Sequence, residues 1–261
     1  MRMKKTGTYF LMAFFLIAFA AGCASTASKP YQHSGFLSDY SRLHPSGKDK
    51  EAEIYIDPAV DFKQYDKILL ERIRVYYKDD AENKEIDPTQ LKMLTDYFYH
   101  AIERELADAY PIVTEPGPGV LRVRIAITEL VPAKPAISVV VLVTPYATVA
   151  DLASGVVSGK GAGSPPYLGH TAIEGEILDS QRTMQLVAYV ERRVPKKYNL
   201  DTIEGAGGAV KKYADSYFKS YTEWGYTKQA CDYWAKGLRA LLDEVHGVKP
   251  VQKNESLRPE E

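Results

Sequence analysis

The sequence predicts an α+β fold of two layers, a mostly antiparallel sheet covered by helices, with an N-terminal lipidated tether in front of it. Three observations carry that expectation. Residues 121–130 alternate, with Leu121, Val123, Ile125 and Ile127 on one face and Arg122, Arg124 and Thr128 on the other, the period of a half-buried strand. Residues 171–179 and 184–193 are two strand-like runs separated by Ser180-Gln181-Arg182-Thr183, which reads as an antiparallel hairpin with a four-residue loop. Behind Asp87-Pro88-Thr89, which supplies a cap and a first-turn proline, Leu91, Leu94, Phe98, Ala101, Ile102, Leu106 and Ala109 recur at helical spacing until Pro111. Such a stripe must cover a sheet.

Taken in chain order, Arg2, Lys4 and Lys5 precede an apolar run from Tyr9 to Phe19 that ends in Ala20-Ala21-Gly22-Cys23. A basic start, a short apolar stretch and small residues before a cysteine make a lipoprotein export signal, so residues 1–22 are expected to be removed and Cys23 acylated on its sulfur and freed amine. The run is too short for a stable membrane span, which needs about 20 apolar residues. Residues 23–53 read as a lipid-anchored flexible tether, with an apolar island at Phe36, Leu37, Tyr40 and Leu43. The island is expected to dock on the folded domain, the alternative being a recruitment peptide for another envelope protein.

A single domain is expected over residues 54–246. Lys67 to Tyr76 has the length and β-branched content of a strand. The helix after Asp87 follows, then the alternating strand, then the hairpin. In the simplest hairpin register Ile173 faces Val190, Gly175 faces Ala188 and Ile177 faces Leu186, which sends Glu174 and Glu176 to the opposite side. After Gly205-Ala206-Gly207-Gly208 helical spacing returns through Val210, Tyr213, Tyr217, Tyr221 and Trp224, breaks at Gly225, and resumes over 227–245 with Ala230, Trp234, Leu238, Leu241, Leu242 and Val245 on one side. Residues 247–261 are polar and read as a disordered tail.

Composition narrows the function classes. Loss of residues 1–22 leaves 239 residues and, because the excised part has three cations and no anions, moves the net charge from −1 to −4. That balance argues against nucleic acid, which needs a concentrated basic surface. With Cys23 acylated, Cys231 has no partner for an intramolecular disulfide and reads as a small buried hydrophobe on a helix rather than a nucleophile.

No catalytic, cofactor or metal residue is expected. The histidines at 33, 44, 100, 170 and 246 place no two ligands on one helical turn, and no G-x-S-x-G elbow is present. Glu174 and Glu176 share a strand face and could divide acid and base roles. Arg122 and Arg124 on a neighbouring strand make a solvated charge ladder the better reading. Gly159-Lys160-Gly161-Ala162-Gly163 is followed by Ser164-Pro165-Pro166 where a phosphate loop would open a helix, and the cluster at 205–208 reads as a cap and hinge. Tyr213, Tyr217 and Tyr221 read as a half-wet packing face rather than a sugar platform. Pro135 to Ala150 carries no charge. Burial beneath the glycine-rich flap is the favoured reading for it, with a subunit interface or membrane insertion as the alternatives.

Several segments together resemble an uncharacterised bacterial lipoprotein family of the domain-of-unknown-function 3313 type. They are Ser34-Gly35-Phe36-Leu37-Ser38-Asp39-Tyr40-Ser41-Arg42-Leu43, Tyr55-Ile56-Asp57-Pro58 running on to Tyr65-Asp66-Lys67, Pro116-Gly117-Pro118-Gly119-Val120-Leu121-Arg122, and Ala172 to Ser180. The chain departs from that pattern at Gln181-Arg182-Thr183, where such proteins often have Thr-Gly. The resemblance implies a lipid-anchored envelope protein and transfers no catalytic residue. At family level, Ala24 after the cysteine, in place of aspartate, implies the outer membrane.

The expected function is a non-catalytic periplasmic scaffold or accessory domain, anchored at the inner leaflet of the outer membrane through Cys23. Its partners are the membrane, through the lipid, and other envelope proteins or itself. The alternative is an oligomerising or membrane-contacting lipoprotein using the apolar segment 137–157. An envelope hydrolase ranks below both.

Overall fold

The computed structural model describes residues 31–47, 51–77, 86–134, 169–194 and 224–248. The export signal, Cys23, the segment 135–157, both glycine clusters, the helical row from Val210 to Tyr221 and the tail beyond 248 lie outside those residues. Among the described residues are β1 (His44–Pro45), β2 (Ala52–Ile56), β3 (Lys67–Leu70), β4 (Arg74–Val75), α1 (Pro88–Leu106), β5 (Val120–Val131), β6 (His170–Asp179), β7 (Gln185–Arg193) and α2 (Gly225–Val245). The strands form one open sheet in the order β1-β2-β7-β6-β5-β3, with β4 also paired to β5. Every pairing from β1 to β5 is antiparallel, whereas β3 and β4 run parallel to β5. The α+β expectation therefore holds, with a parallel edge added.

Local chemistry explains the helices. The Asp87 carboxylate accepts from the N–H groups of Thr89 (2.6 Å) and Gln90 (3.3 Å), and Pro88 occupies a first-turn position whose N–H needs no partner. From there α1 buries Leu94, Phe98, Ala101, Ile102 and Leu106, and α2 buries Ala230, Cys231, Trp234, Ala235 and Leu242. The two helices lie against each other, with the Phe98 and Trp234 rings 5.9 Å apart and the Tyr97 hydroxyl donating to Asp232 at 2.8 Å. Together they roof one sheet face, where Ile68, Leu70, Leu121, Val123, Ile125, Ile127, Ile173, Ile177 and Val187 complete the core.

The opposite face is closed by the chain before β1. Phe36 and Leu37 are buried there with Ala126, Ala188 and Val190, flanked by Tyr31, Tyr40, Leu43 and Tyr55. The apolar island thus docks on the domain, and ordered packing begins well upstream of Ile54, where the sequence reading placed the start of the fold. Residues 31–43 form a strap across the sheet.

Two further expectations are corrected. The strand expected from Lys67 to Tyr76 is split into β3 and β4 by residues 71–73, which include the buried Ile73. The hairpin register is one residue off: Ile173 pairs with Glu191, Gly175 with Tyr189 and Ile177 with Val187. The connection is longer than four residues, because Met184 belongs to it and its carbonyl accepts from the Asp179 N–H at 2.9 Å. A register shift between Ile177 and Leu178 leaves Leu186 as the bulged residue, and its carbonyl is taken by the N–H of Asp57 at 2.8 Å. A one-residue slip exchanges strand faces. Ala188 and Val190 therefore lie under the strap, and Tyr189 and Glu191 face the helices.

Three of the segments that carried the family resemblance meet at one end of the sheet. Gly119, at φ +71°, presents its carbonyl to the N–H groups of Asp66 (2.9 Å) and Lys67 (3.2 Å). Ser180 joins the Gly117 backbone through both its donor and acceptor capacity, at 3.0 and 3.1 Å. A side chain at 119 would need the left-handed region and would crowd Asp66.

Candidate functional site

The strap face holds the densest polar arrangement that the sequence had singled out. Strand alternation places Glu174 and Glu176 side by side on it, as expected from β6, and packing of the strap removes both from water, to 0% and 2% exposure. Burying two carboxylates without compensation is costly. Each is compensated by the strap. Glu174 accepts from the Tyr31 hydroxyl (3.0 Å) and the Ser34 N–H (2.6 Å) at Oε1, and from the Ser34 hydroxyl (2.7 Å) and the Tyr40 hydroxyl (2.5 Å) at Oε2. Glu176 Oε2 accepts from the N–H and hydroxyl of Ser38 (2.9 and 2.7 Å) and from the Gln185 amide (2.9 Å), while Oε1 takes Arg124 Nη1.

Neighbouring groups lock the arrangement. Arg124 also lies 5.0 Å from the centre of the Phe36 ring, so one guanidinium holds both the carboxylate and the island. Arg42 reaches Tyr55 (2.7 Å), Gln185 (3.0 Å) and Asp39 (3.0 Å), tying the end of the strap to β2 and β7. The Tyr40 hydroxyl accepts from the Leu37 N–H at 2.9 Å while donating to Glu174. Burial first, and then this bond to a carboxylate, push the Tyr40 phenol up to about 12. Burial and the charge of Glu174 push Tyr31 up further.

The charge ladder is therefore corrected in part. Arg124 pairs with Glu176 across the strands, but the carboxylate is buried and the guanidinium half-buried, so the pair is not a solvated rung. Glu174 stands opposite Ala126, and Arg122 turns to Glu71 at 2.6 Å. With Glu174 filled by strap donors and Glu176 by Ser38, Gln185 and Arg124, neither carboxylate is open to a substrate in this arrangement. What the geometry performs is clamping.

Four donors were missed as functional residues: Tyr31, Ser34, Ser38 and the hydroxyl of Tyr40. Their signal was present in the sequence as hydroxyls spaced around the apolar island, in a segment read as a tether. Glu191 was missed too, because the expected register left it off the core face. It is 1% exposed and accepts from Trp234 Nε1 (2.5 Å), Tyr189 (2.6 Å) and Arg193 (2.5 Å).

Three of the histidines have separate partners: His33 contacts Glu53 at 2.7 Å, His100 contacts Glu103 at 2.7 Å, and His246 bonds the carbonyls of Leu242 and Tyr65. Among the described residues no group of three or more His, Cys, Asp and Glu could hold a metal ion. Cys231 is a free, buried thiol whose ionisation is opposed chiefly by burial, as a packing role requires. No described helix is long and apolar enough to cross a membrane.

Fold and site together define a class: an α+β domain whose mixed sheet is roofed by helices on one face and sealed on the other by an N-terminal strap clamped to two buried carboxylates. The chain belongs to the family described as proteins of unknown function, DUF3313, whose family model matches residues 32–238 and so takes in nearly all of the strap. It is 27% identical over 203 residues to the uncharacterized lipoprotein YdcL of Escherichia coli K12, covering 75% of this chain and 86% of that protein. Among solved structures it is similar to a PelC dodecamer from Paraburkholderia phytofirmans, at 7% identity and TM-score 0.32, covering 76% of this chain and 97% of that one. A second similar structure is a DUF4136 family protein from Bacteroides thetaiotaomicron, at 12% identity and TM-score 0.26, covering 67% of this chain and all of the other.

Proposed function

We propose that this protein is a lipid-anchored envelope lipoprotein, acylated at Cys23, whose α+β domain faces the periplasm from the outer membrane and serves as a non-catalytic scaffold or accessory module. One observation carries the non-catalytic part: Glu174 and Glu176, the carboxylates best placed for acid and base work, are spent on holding the strap. The anchoring part is supported by the small residues before Cys23 and by the similarity to a protein described as a lipoprotein. Fractionation of cells producing the wild type or Cys23→Ala tests the anchor. Wild-type chain in the outer-membrane fraction, carrying metabolically incorporated palmitate, and unlabelled variant in the soluble fraction are the expected results. Equal labelling and equal partition of the two would overturn the reading.

A further inference from the structure

The strap is the stretch of chain that leads directly from the anchor to the domain. Tyr31, the first described residue held on the sheet, lies eight positions after Cys23. A chain extends by at most about 3.6 Å per residue, so with the strap seated the acylated end stands within about 29 Å of Tyr31. His44, where β1 starts, lies twenty-one positions after Cys23. With the strap off the sheet the reach becomes about 76 Å.

The contacts of the strap are of a kind that can be exchanged for water. Between Tyr31 and Leu43 no residue belongs to a strand, and the strap reaches the sheet through hydroxyls and N–H groups placed on two carboxylates. The apolar part is small: Phe36 and Leu37 cover Ala126, Ala188 and Val190. Opening the helix face would expose Ile68, Leu121, Val123, Ile127 and their neighbours. Opening the strap face exposes Phe36, Leu37 and the Ala126, Ala188 and Val190 surface beneath them, a smaller cluster than the helix-side core, and lets water hydrate Glu174, Glu176 and Arg124, which offsets part of the cost of release.

We propose that residues 31–43 are a releasable strap that sets how far the domain stands from its membrane, short when clamped on Glu174 and Glu176 and more than doubled in reach when detached. The proposal rests on acylation of Cys23. Its release half does not, because the clamp is a property of the folded domain.

The test uses full-length acylated protein in phospholipid vesicles, with a donor dye on a cysteine introduced by Lys236→Cys on exposed α2 and an acceptor dye on lipid. Wild type is compared with Ser34→Ala/Ser38→Ala by amide exchange and by energy transfer. Expected is exchange over residues 31–43 faster by on the order of tenfold in the variant, with β5 and β6 unchanged and energy transfer to the bilayer reduced. Unchanged exchange over 31–43, or loss of protection there only together with β5 and β6, overturns the release. Faster exchange without a change in energy transfer overturns the link to reach. Wild type that shows no transfer, because it fails to join the vesicles, overturns the anchor reading, while the exchange still decides the release.

Discussion

Glu174 shows most plainly how a single side chain couples the N-terminal strap to a strand far along the chain. Its carboxylate lies at 0% exposure and accepts four hydrogen bonds, all from residues 31–40. Hydrogen bonds to a buried charged group are worth more than neutral ones, so Glu174→Gln, which removes the charge and turns a donor toward the strap, is expected to cost about 1.5–3 kcal/mol in denaturant unfolding. Glu115→Gln on the surface should leave the midpoint unchanged. A second prediction concerns Tyr40. The folded state holds its phenol neutral to about 12 where the unfolded chain ionises near 10. The stabilisation is therefore complete below pH 10 and is lost as pH rises through about 12. Phenolate absorbance followed with amide exchange over 31–43 should show the strap detaching in that window, and Tyr40→Phe should remove the part that tracks Tyr40 ionisation.

At the level of elements, caps and close backbone approaches decide where strands and helices begin. Asp87→Ala removes two hydrogen bonds at the start of α1 and is expected to cost about 1 kcal/mol. Gly169, at φ +73°, leads into β6 with no room for a side chain, since a Cβ there would lie 2.1 Å from the Val131 carbonyl oxygen. Gly169→Ala is therefore expected to lower stability by about 3 kcal/mol, read as a drop in thermal midpoint, while Gly237→Ala, in open space on α2, leaves it unchanged or raised.

The elements also show what was legible in the sequence. The α1 stripe, the β5 alternation and the common face of Glu174 and Glu176 were readable because each is local and periodic. The hairpin register was not, because Met184 stays in the connection and Leu186 bulges, and both depend on tertiary partners such as the Asp57 N–H. The strap was half legible. Phe36 and Leu37 announced a docking island, whereas the donors around them had no meaning until the carboxylates stood over them from about 140 positions away.

At the scale of the whole molecule, a sheet with helices on one face would leave its second face to water, and here residues 31–43 cover it. Under the proposed anchoring the domain and its attachment act together: Cys23 would hold the N-terminus at the membrane, and the Glu174–Glu176 clamp would set how much chain lies between. The most direct measurement is the intact mass of protein extracted from membranes, with fragmentation of its N-terminal peptide. Acylation at Cys23 predicts a chain that begins at that residue and carries the mass of a thioether-linked diacylglyceryl group and an amide-linked acyl chain. A chain that retains residues 1–22, or that begins at Cys23 with an unmodified thiol, would contradict it.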